Sequence, residues 1–199
     1  IEVLEEGEGL DVTTSNINWC TSQMYVSALA TAGITDAKII VAAPFEVSGT
    51  AALTGVYMAY EDITGEELDE TAKLVSTQEL TLTAELADQI GSYDSGEIVN
   101  ELKLLLGETR NMTDEQLRSE IVSIASDFGV TLTDTQIDQL ISLCRALEKL
   151  NPDELKEKVE SVQNTIAKLG QAKETVSNFF TSVKNVWNSI VDFFKGIFG

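Results

Sequence analysis

The sequence predicts an α+β protein that is mostly helical, with a small mixed β-sheet in the order ββαβα at the N-terminus. Three observations support this class. Apolar and polar residues alternate with the strand period of two only within the first 43 residues. From about residue 66 onward, apolar residues recur at the helical spacing of three or four. A length of 199 residues, 43% of them apolar, is enough to bury a core.

Two strands are expected at the start of the chain, over 1–4 and 10–17. The loop Glu5–Gly9 between them contains glycine and has the length of a hairpin turn. Thr21 is placed to cap a helix that ends at Gly33. The strands on either side of this helix are therefore expected to lie parallel in one sheet.

The stretch 36–65 combines a strand, a short loop and a helix. Residues 38–43 form a short, mainly apolar run rich in β-branched residues, and Pro44 closes this predicted strand. A helical pattern then begins at Ser48 and ends at Gly65. Such a junction points backbone N–H groups and the positive end of the helix dipole at the loop.

This loop is the first candidate site. Ser48, Gly49 and Thr50 could bind an anion there, although the simpler interpretation is that Ser48 caps the helix. The enzymatic alternative is a hydrolase that uses Ser48 or acidic residues near 44–50. Because the chain contains no histidine, such an enzyme would need Lys38 or another lysine as its base.

Every element predicted after Gly65 is a helix. Short helices are expected at 68–81 and 84–90, and a further one between the cap at Asp94–Gly96 and about Leu106.

Three more helices are predicted from their starting residues. Thr113–Gln116 and Thr133–Gln136 both have the capping-box pattern, in which a threonine caps the helix and a glutamine bonds back to it. Asn151 caps the last helix, and Pro152 occupies its first turn. An apolar stripe follows in this helix, formed by Leu155, Val159, Val162, Ile166 and Leu169.

These patterns divide the chain into three predicted parts. Residues 1–65 form an α/β sheet subdomain, residues 66–150 a helical subdomain, and residues 151–199 a long amphipathic helix. Gly170 marks a bend or break in that last helix.

The final segment, 171–199, has the most distinctive surface. Large apolar side chains fill one half of the predicted helix, and lysines recur every eleven residues along its edge. The segment carries a net charge of about +1, against about −21 for the rest of the chain. The residues predicted to contact a partner are Phe179, Phe180, Val183, Trp187, Ile190, Phe193, Phe194, Ile197 and Phe198.

Three alternatives remain for the surface that covers this apolar face. They are the remainder of the same chain, a second copy or a partner's helices, and a lipid surface. Of the two modes of association, self-association is favoured, because the polar face carries Asn, Ser and Thr rather than a dense cationic patch that would bind anionic lipid.

Composition argues against several classes of function. A net charge of −20 opposes binding to nucleic acid, since phosphate contacts require a basic surface. The absence of histidine removes the commonest general base and metal ligand, and no cofactor or metal site is predicted. Cys20 and Cys144 match no zinc pattern. Two buried free thiols are expected, with a disulfide as the alternative.

One long stretch carries a resemblance, NINWCTSQMYVSALATAGITDAKIIVAAPFEVSGTAALTGVYMAYEDITGEELDE, followed by TQELTLTAELADQIG. It resembles the centre of the YpuA-like family of secreted Gram-positive proteins, a domain of unknown function. AAPFEVSGTAALTG is its most specific part. The resemblance implies a secreted or cell-envelope location and further sequence before Ile1, and it assigns no catalytic residue. We therefore predict a non-enzymatic interaction module.

Overall fold

The N-terminal sheet contains the parallel pair that the strand–helix–strand order predicts. The computed structural model describes residues 1–90 and 95–163. Within these ranges, three strands form one mixed sheet: β1 (Glu2–Val3), β2 (Leu10–Ile17) and β3 (Ala37–Val47). The spatial order is β1-β3-β2, with β2 parallel and β1 antiparallel to β3. The ββαβα order and the mostly helical α+β class are confirmed.

The expected hairpin between the first two strands is wrong, because β3 lies between them. β3 is the longest of the three strands, at 11 residues, and it pairs with β1 along one edge and with β2 along the other. The glycine loop is held from the side by Asp36. One carboxylate oxygen of Asp36 accepts hydrogen bonds from the backbone N–H groups of Gly7 at 2.9 Å and Gly9 at 2.7 Å. The loop is thus a turn around a carboxylate.

Strand β3 continues through Pro44 to Val47, beyond its predicted end. Its pairing with β2 is interrupted between Ser15 and Ile17, where the β3 residues bulge out of register. Asn16 adopts a positive φ of 57° at this interruption. Proline is tolerated at such a bulge because the ladder requires no N–H group there.

Helix α1 (Ser22–Ala32) is enclosed by the rest of the protein. It begins and ends as predicted, with Thr21 accepting a hydrogen bond from the Met24 backbone and Gly33 in the left-handed conformation. Every residue from Gln23 to Ala32 is buried. Half of these ten side chains are Ala, Ser or Thr, which allows neighbouring elements to approach the helix closely.

Helix α2 (Ala52–Thr64) starts later than the sequence pattern suggests. Its N-cap is Ala51, which makes no side-chain capping bond, so the prediction that Ser48 caps this helix is wrong. The C-cap at Gly65 is confirmed by its left-handed conformation. The loop before the helix makes an additional backbone turn, in which Ala52 donates to the Gly49 carbonyl at 3.0 Å.

A single helix, α3 (Glu70–Ile90), replaces the two short helices expected at 68–81 and 84–90. The threonine-rich stretch in its middle weakens the helical pattern in the sequence. In the structure, the hydroxyls of Thr77, Thr81 and Thr83 each donate to the carbonyl four residues earlier, at 2.7–3.0 Å. Their polar groups are therefore satisfied inside one continuous helix.

The remaining helices contribute, together with α3, to one hydrophobic core cluster. They are α4 (Ser95–Leu104), α5 (Leu106–Thr109), α6 (Asp114–Asp127), α7 (Asp134–Leu147) and α8, described over 152–163. Leu105 separates α4 from α5, so the helix expected to reach Leu106 is shorter than predicted. Both capping boxes, at Thr113 and Thr133, are confirmed with reciprocal hydrogen bonds.

Helix α8 begins at the predicted cap, where Asn151 Oδ1 accepts from the backbone of Asp153 at 3.2 Å. Its apolar stripe faces the core, since Leu155, Val159 and Val162 are at most 3% exposed. The rest of the stripe, the predicted cap at Asp94 and the whole segment 171–199 lie outside the described residues.

Across residues 1–90 and 95–163, no helix has the combination of length and apolar character that crossing a lipid bilayer requires.

Candidate functional site

A groove of about 730 Å³ runs between α2, α3 and α7. Helix α3 forms most of its length, from Glu70 at one end to Glu85 at the other, which corresponds to roughly 22 Å of helix. The lining residues are Thr54, Tyr57, Met58, Glu61, Glu70, Lys73, Leu74, Thr77, Gln78, Thr81, Leu82, Glu85, Gln139 and Ser142. This groove is the candidate functional site.

Two large apolar side chains in the groove are exposed. Met58 on α2 is 67% exposed and Leu74 on α3 is 72% exposed, while the neighbouring Leu82 is buried. Scattered single apolar residues on a surface need no explanation. Two such residues lining one concave surface are the usual composition of a binding site.

A buried hydrogen bond holds the two walls together. Ser76 on α3 donates its proton to the Ala72 carbonyl at 2.7 Å, so Tyr57 on α2 is the donor in the 2.6 Å bond between the two hydroxyls. Burial raises the pKa of Tyr57 to about 12, which keeps the phenol neutral at physiological pH. The spacing of α2 and α3 is therefore set before any ligand binds.

One end of the groove carries a network of three charged residues. Lys73 bridges Glu70 at 2.6 Å and Glu61 at 2.9 Å, and Glu61 also accepts from the Leu68 backbone at 3.0 Å. The hydrogen bonds to Glu70 and Glu61 raise the pKa of the Lys73 ammonium. Lys73 thus offsets one of the two negative charges at this end, and a net charge of −1 remains.

The other end differs. Glu85 is half-buried and lines the groove, and none of the ion pairs formed among the described residues includes it. The packing of α7 on α3 is fixed nearby by a 2.9 Å hydrogen bond from Gln136 to Gln89.

A buried polar cluster lies on the side of α3 that faces away from the groove. Glu79 of α3 contributes to it, and the other members are Ser27, Thr31, Asn100 and Lys103. The Lys103 ammonium donates to Glu79 Oε1 at 2.9 Å, to Ser27 Oγ at 2.8 Å and to the Ser27 carbonyl at 3.0 Å. Thr31 and Ser27 each donate to Glu79 at 2.5 Å. Lys103 is 0% exposed and Glu79 is 1% exposed. Burial lowers the pKa of Lys103, and the charge of Glu79 opposes this effect.

Asn100 completes the cluster only in one orientation. Its amide approaches Ser27 Oγ at 2.8 Å through Oδ1, while its Nδ2 has no partner among the described residues. Ser27 has a single proton, which it donates to Glu79, so it must accept from Asn100. A 180° rotation of the amide turns Nδ2 toward Ser27, so that Nδ2 donates to Ser27 Oγ.

A serine hydroxyl beside a lysine is the geometry of a nucleophile and its base. In this cluster the ammonium is held by a carboxylate, and Ser27 is only 3% exposed. Neither the groove nor a second pocket of about 320 Å³ is lined by Ser27 or Lys103. The cluster therefore joins α1, α3 and α4 as a structural element.

The residues predicted for an anion site are only partly assembled. Ser48 is exposed, and its hydroxyl oxygen lies 3.5 Å from the hydroxyl oxygen of Thr50. Gly49 is buried, and its carbonyl accepts a 2.5 Å hydrogen bond from Tyr25. Lys38 stands at the far end of β3, on the order of 30 Å from Ser48 along the strand. The structure thus does not bring the two proposed hydrolase groups together.

The two cysteines are free and buried, as expected. Burial raises the pKa of Cys20 to about 11 and that of Cys144 to about 12, so both are unreactive thiols at neutral pH. In the part of the chain that the structure describes, no cluster of three or more Cys, Asp or Glu side chains is arranged to hold a metal ion.

Sequence reasoning missed both the groove and the buried cluster. The available signals were Ser27 and Thr31, four residues apart within the otherwise apolar run 24–32, and Lys103 between two leucines. No local signal marks the groove, because α7 forms one of its walls and lies far along the chain from α2 and α3.

Comparison with known proteins places these features in a family context. The family described as "Protein of unknown function (DUF1002)" matches residues 1–169. A protein of Bacillus subtilis (strain 168), named "Uncharacterized protein YpuA", is 39% identical over 206 residues, which cover 98% of this chain and 69% of the relative. No solved structure matches.

Proposed function

Since the chain belongs to the DUF1002 family of proteins of unknown function, we propose that it is a non-enzymatic interaction module, secreted or held in the cell envelope. Its groove between α2, α3 and α7 binds an amphipathic helix of a partner protein. The location rests on the resemblance to secreted Gram-positive proteins. Recovery of the full-length protein only from the cytosolic fraction of its source cells would contradict it.

The proposal is carried by the exposure of Met58 and Leu74 inside a groove whose walls are fixed. Covering a side chain of this size is worth roughly 1.5–3 kcal/mol. Because the Tyr57–Ser76 hydrogen bond already sets the wall spacing, little ordering free energy opposes binding.

The dimensions and charge of the groove favour a helix as its ligand. A length of roughly 22 Å accepts about fifteen helical residues, and an amphipathic helix in a groove is a common recognition mode. The groove carries Glu61, Glu70 and Glu85 against the single cation Lys73. This acidic balance opposes anionic lipid and suits a helix with basic residues.

The test uses fluorescent fifteen-residue helical peptides with leucines at helical spacing and the full chain. We expect Leu74→Asp and Met58→Asp each to weaken binding by at least about tenfold, as measured by fluorescence anisotropy, because each places a charge in the apolar contact. The matched control is Val122→Asp, since Val122 is an exposed apolar residue of α6 that does not line the groove. Equal affinity of all four proteins would contradict the proposal.

A second proposal concerns self-association through residues 171–199. It is supported by the sequence, which places eleven large apolar side chains, six of them aromatic, on one half of the predicted helix. We expect deletion after Gly170 to reduce the oligomer size measured by sedimentation velocity. Liposome co-sedimentation of both proteins tests the lipid alternative. If the truncated chain keeps its oligomer size and loses thermal stability instead, the segment belongs to the core and this proposal fails.

A further inference from the structure

We infer that the partner helix carries a basic residue that pairs with Glu85, about three helical turns from the apolar residue that contacts Leu74. This inference rests on the proposed function of the groove and names the chemistry that selects its ligand.

The first observation is the contrast between the acidic residues of the groove. Glu61 and Glu70 share Lys73 as their ion-pair partner, so the three groups form one network with a net charge of −1. Glu85 has no such partner among residues 1–90 and 95–163. A ligand cation therefore meets carboxylates that already have a cationic partner at one end of the groove, and a carboxylate without one among the described residues at the other.

The second observation is the setting of Glu85. Its side chain is half-buried, and the groove residues nearest along the chain, Thr81 and Leu82, are neutral. Gln139 and Ser142 line the α7 wall and are neutral as well. A partly desolvated carboxylate in neutral surroundings gains more from a cation than a fully solvated one.

The third observation is the distance from the apolar contact. Leu74 and Glu85 are eleven residues apart on α3, which corresponds to about 16 Å and three turns. Eleven residues bring two positions to nearly the same face of a helix. A partner helix lying along α3 thus meets both positions if its own apolar and basic residues are about eleven residues apart.

The experiment compares three fifteen-residue peptides that differ only at the position eleven residues from the leading leucine, where they carry Lys, Gln or Glu. We expect the intact chain to bind the Lys peptide about tenfold more tightly than the Gln peptide, and the Glu peptide most weakly. In the Glu85→Gln variant, we expect the Lys and Gln peptides to bind equally. The control is Glu120→Gln, because Glu120 is also half-buried but lies on α6, outside the groove.

The outcomes separate this inference from the function on which it rests. Peptide binding that depends on Leu74 but does not distinguish Lys from Gln would overturn the inference and retain the groove. A preference for Lys that persists in Glu85→Gln would also overturn it. Binding that depends on neither Leu74 nor Met58 would overturn the proposed function itself.

Discussion

Replacing Lys103 with methionine is expected to lower the free energy of unfolding by about 3–5 kcal/mol. Methionine fills most of the space of lysine but donates no hydrogen bond. Glu79 would then remain 1% exposed, with only the Ser27 and Thr31 hydroxyls to compensate its charge. Urea unfolding followed by circular dichroism measures the change.

Two further variants make this result interpretable. Lys156→Met removes a surface pair with Glu160, at 3.9 Å, and should change stability by less than about 1 kcal/mol. Adding Glu79→Gln to Lys103→Met removes the uncompensated charge and should recover part of the loss. A Lys103→Met protein as stable as the original would show that the buried pair is not required.

The second large effect is expected at Gly49. Its φ of +92° lies in the left-handed region, which costs a residue with a Cβ roughly 1–2 kcal/mol. An added Cβ would also lie 2.5 Å from the Ile17 side chain and closer still to the Tyr25 hydroxyl, and such overpacking costs about 1–3 kcal/mol more. We therefore expect Gly49→Ala to lower the thermal unfolding midpoint.

Gly55→Ala is the matched control for that substitution. Gly55 lies within α2, and a Cβ there would meet no atom within 4 Å. Alanine favours the helix by roughly 0.5–1 kcal/mol, so this change should raise the midpoint. If both variants shift the midpoint in the same direction, the role assigned to Gly49 is wrong.

Features with a local cause were predictable from the sequence. The cap at Thr21, the stop at Gly33 and the capping boxes at Thr113 and Thr133 each depend on residues within one turn of each other. The parallel pair β2–β3 followed from a connection rule of similar simplicity. The recognition of the family rested on the sequence itself.

Features with a long-range cause were not predictable. Lys103 and Ser27 are 76 residues apart, and Glu79 lies on a third helix. The short loop between β1 and β2 suggests that they pair with each other in a hairpin. Both strands pair with β3 instead, which has the longer run of alternating buried residues. The groove is formed by three helices, so no single segment of the sequence predicts it.

The enclosure of α1 has a consequence for the dynamics of the protein. A helix whose residues from Gln23 to Ala32 are all buried has no face from which its amide groups can meet solvent. Its contacts with β2, α3 and α4 mean that no neighbour can detach without exposing it. We therefore expect hydrogen exchange at these amides to proceed through global unfolding, and the ends of the outer helices to exchange by fraying. On this expectation, the exchange rate of α1 reports the stability of the whole described fold.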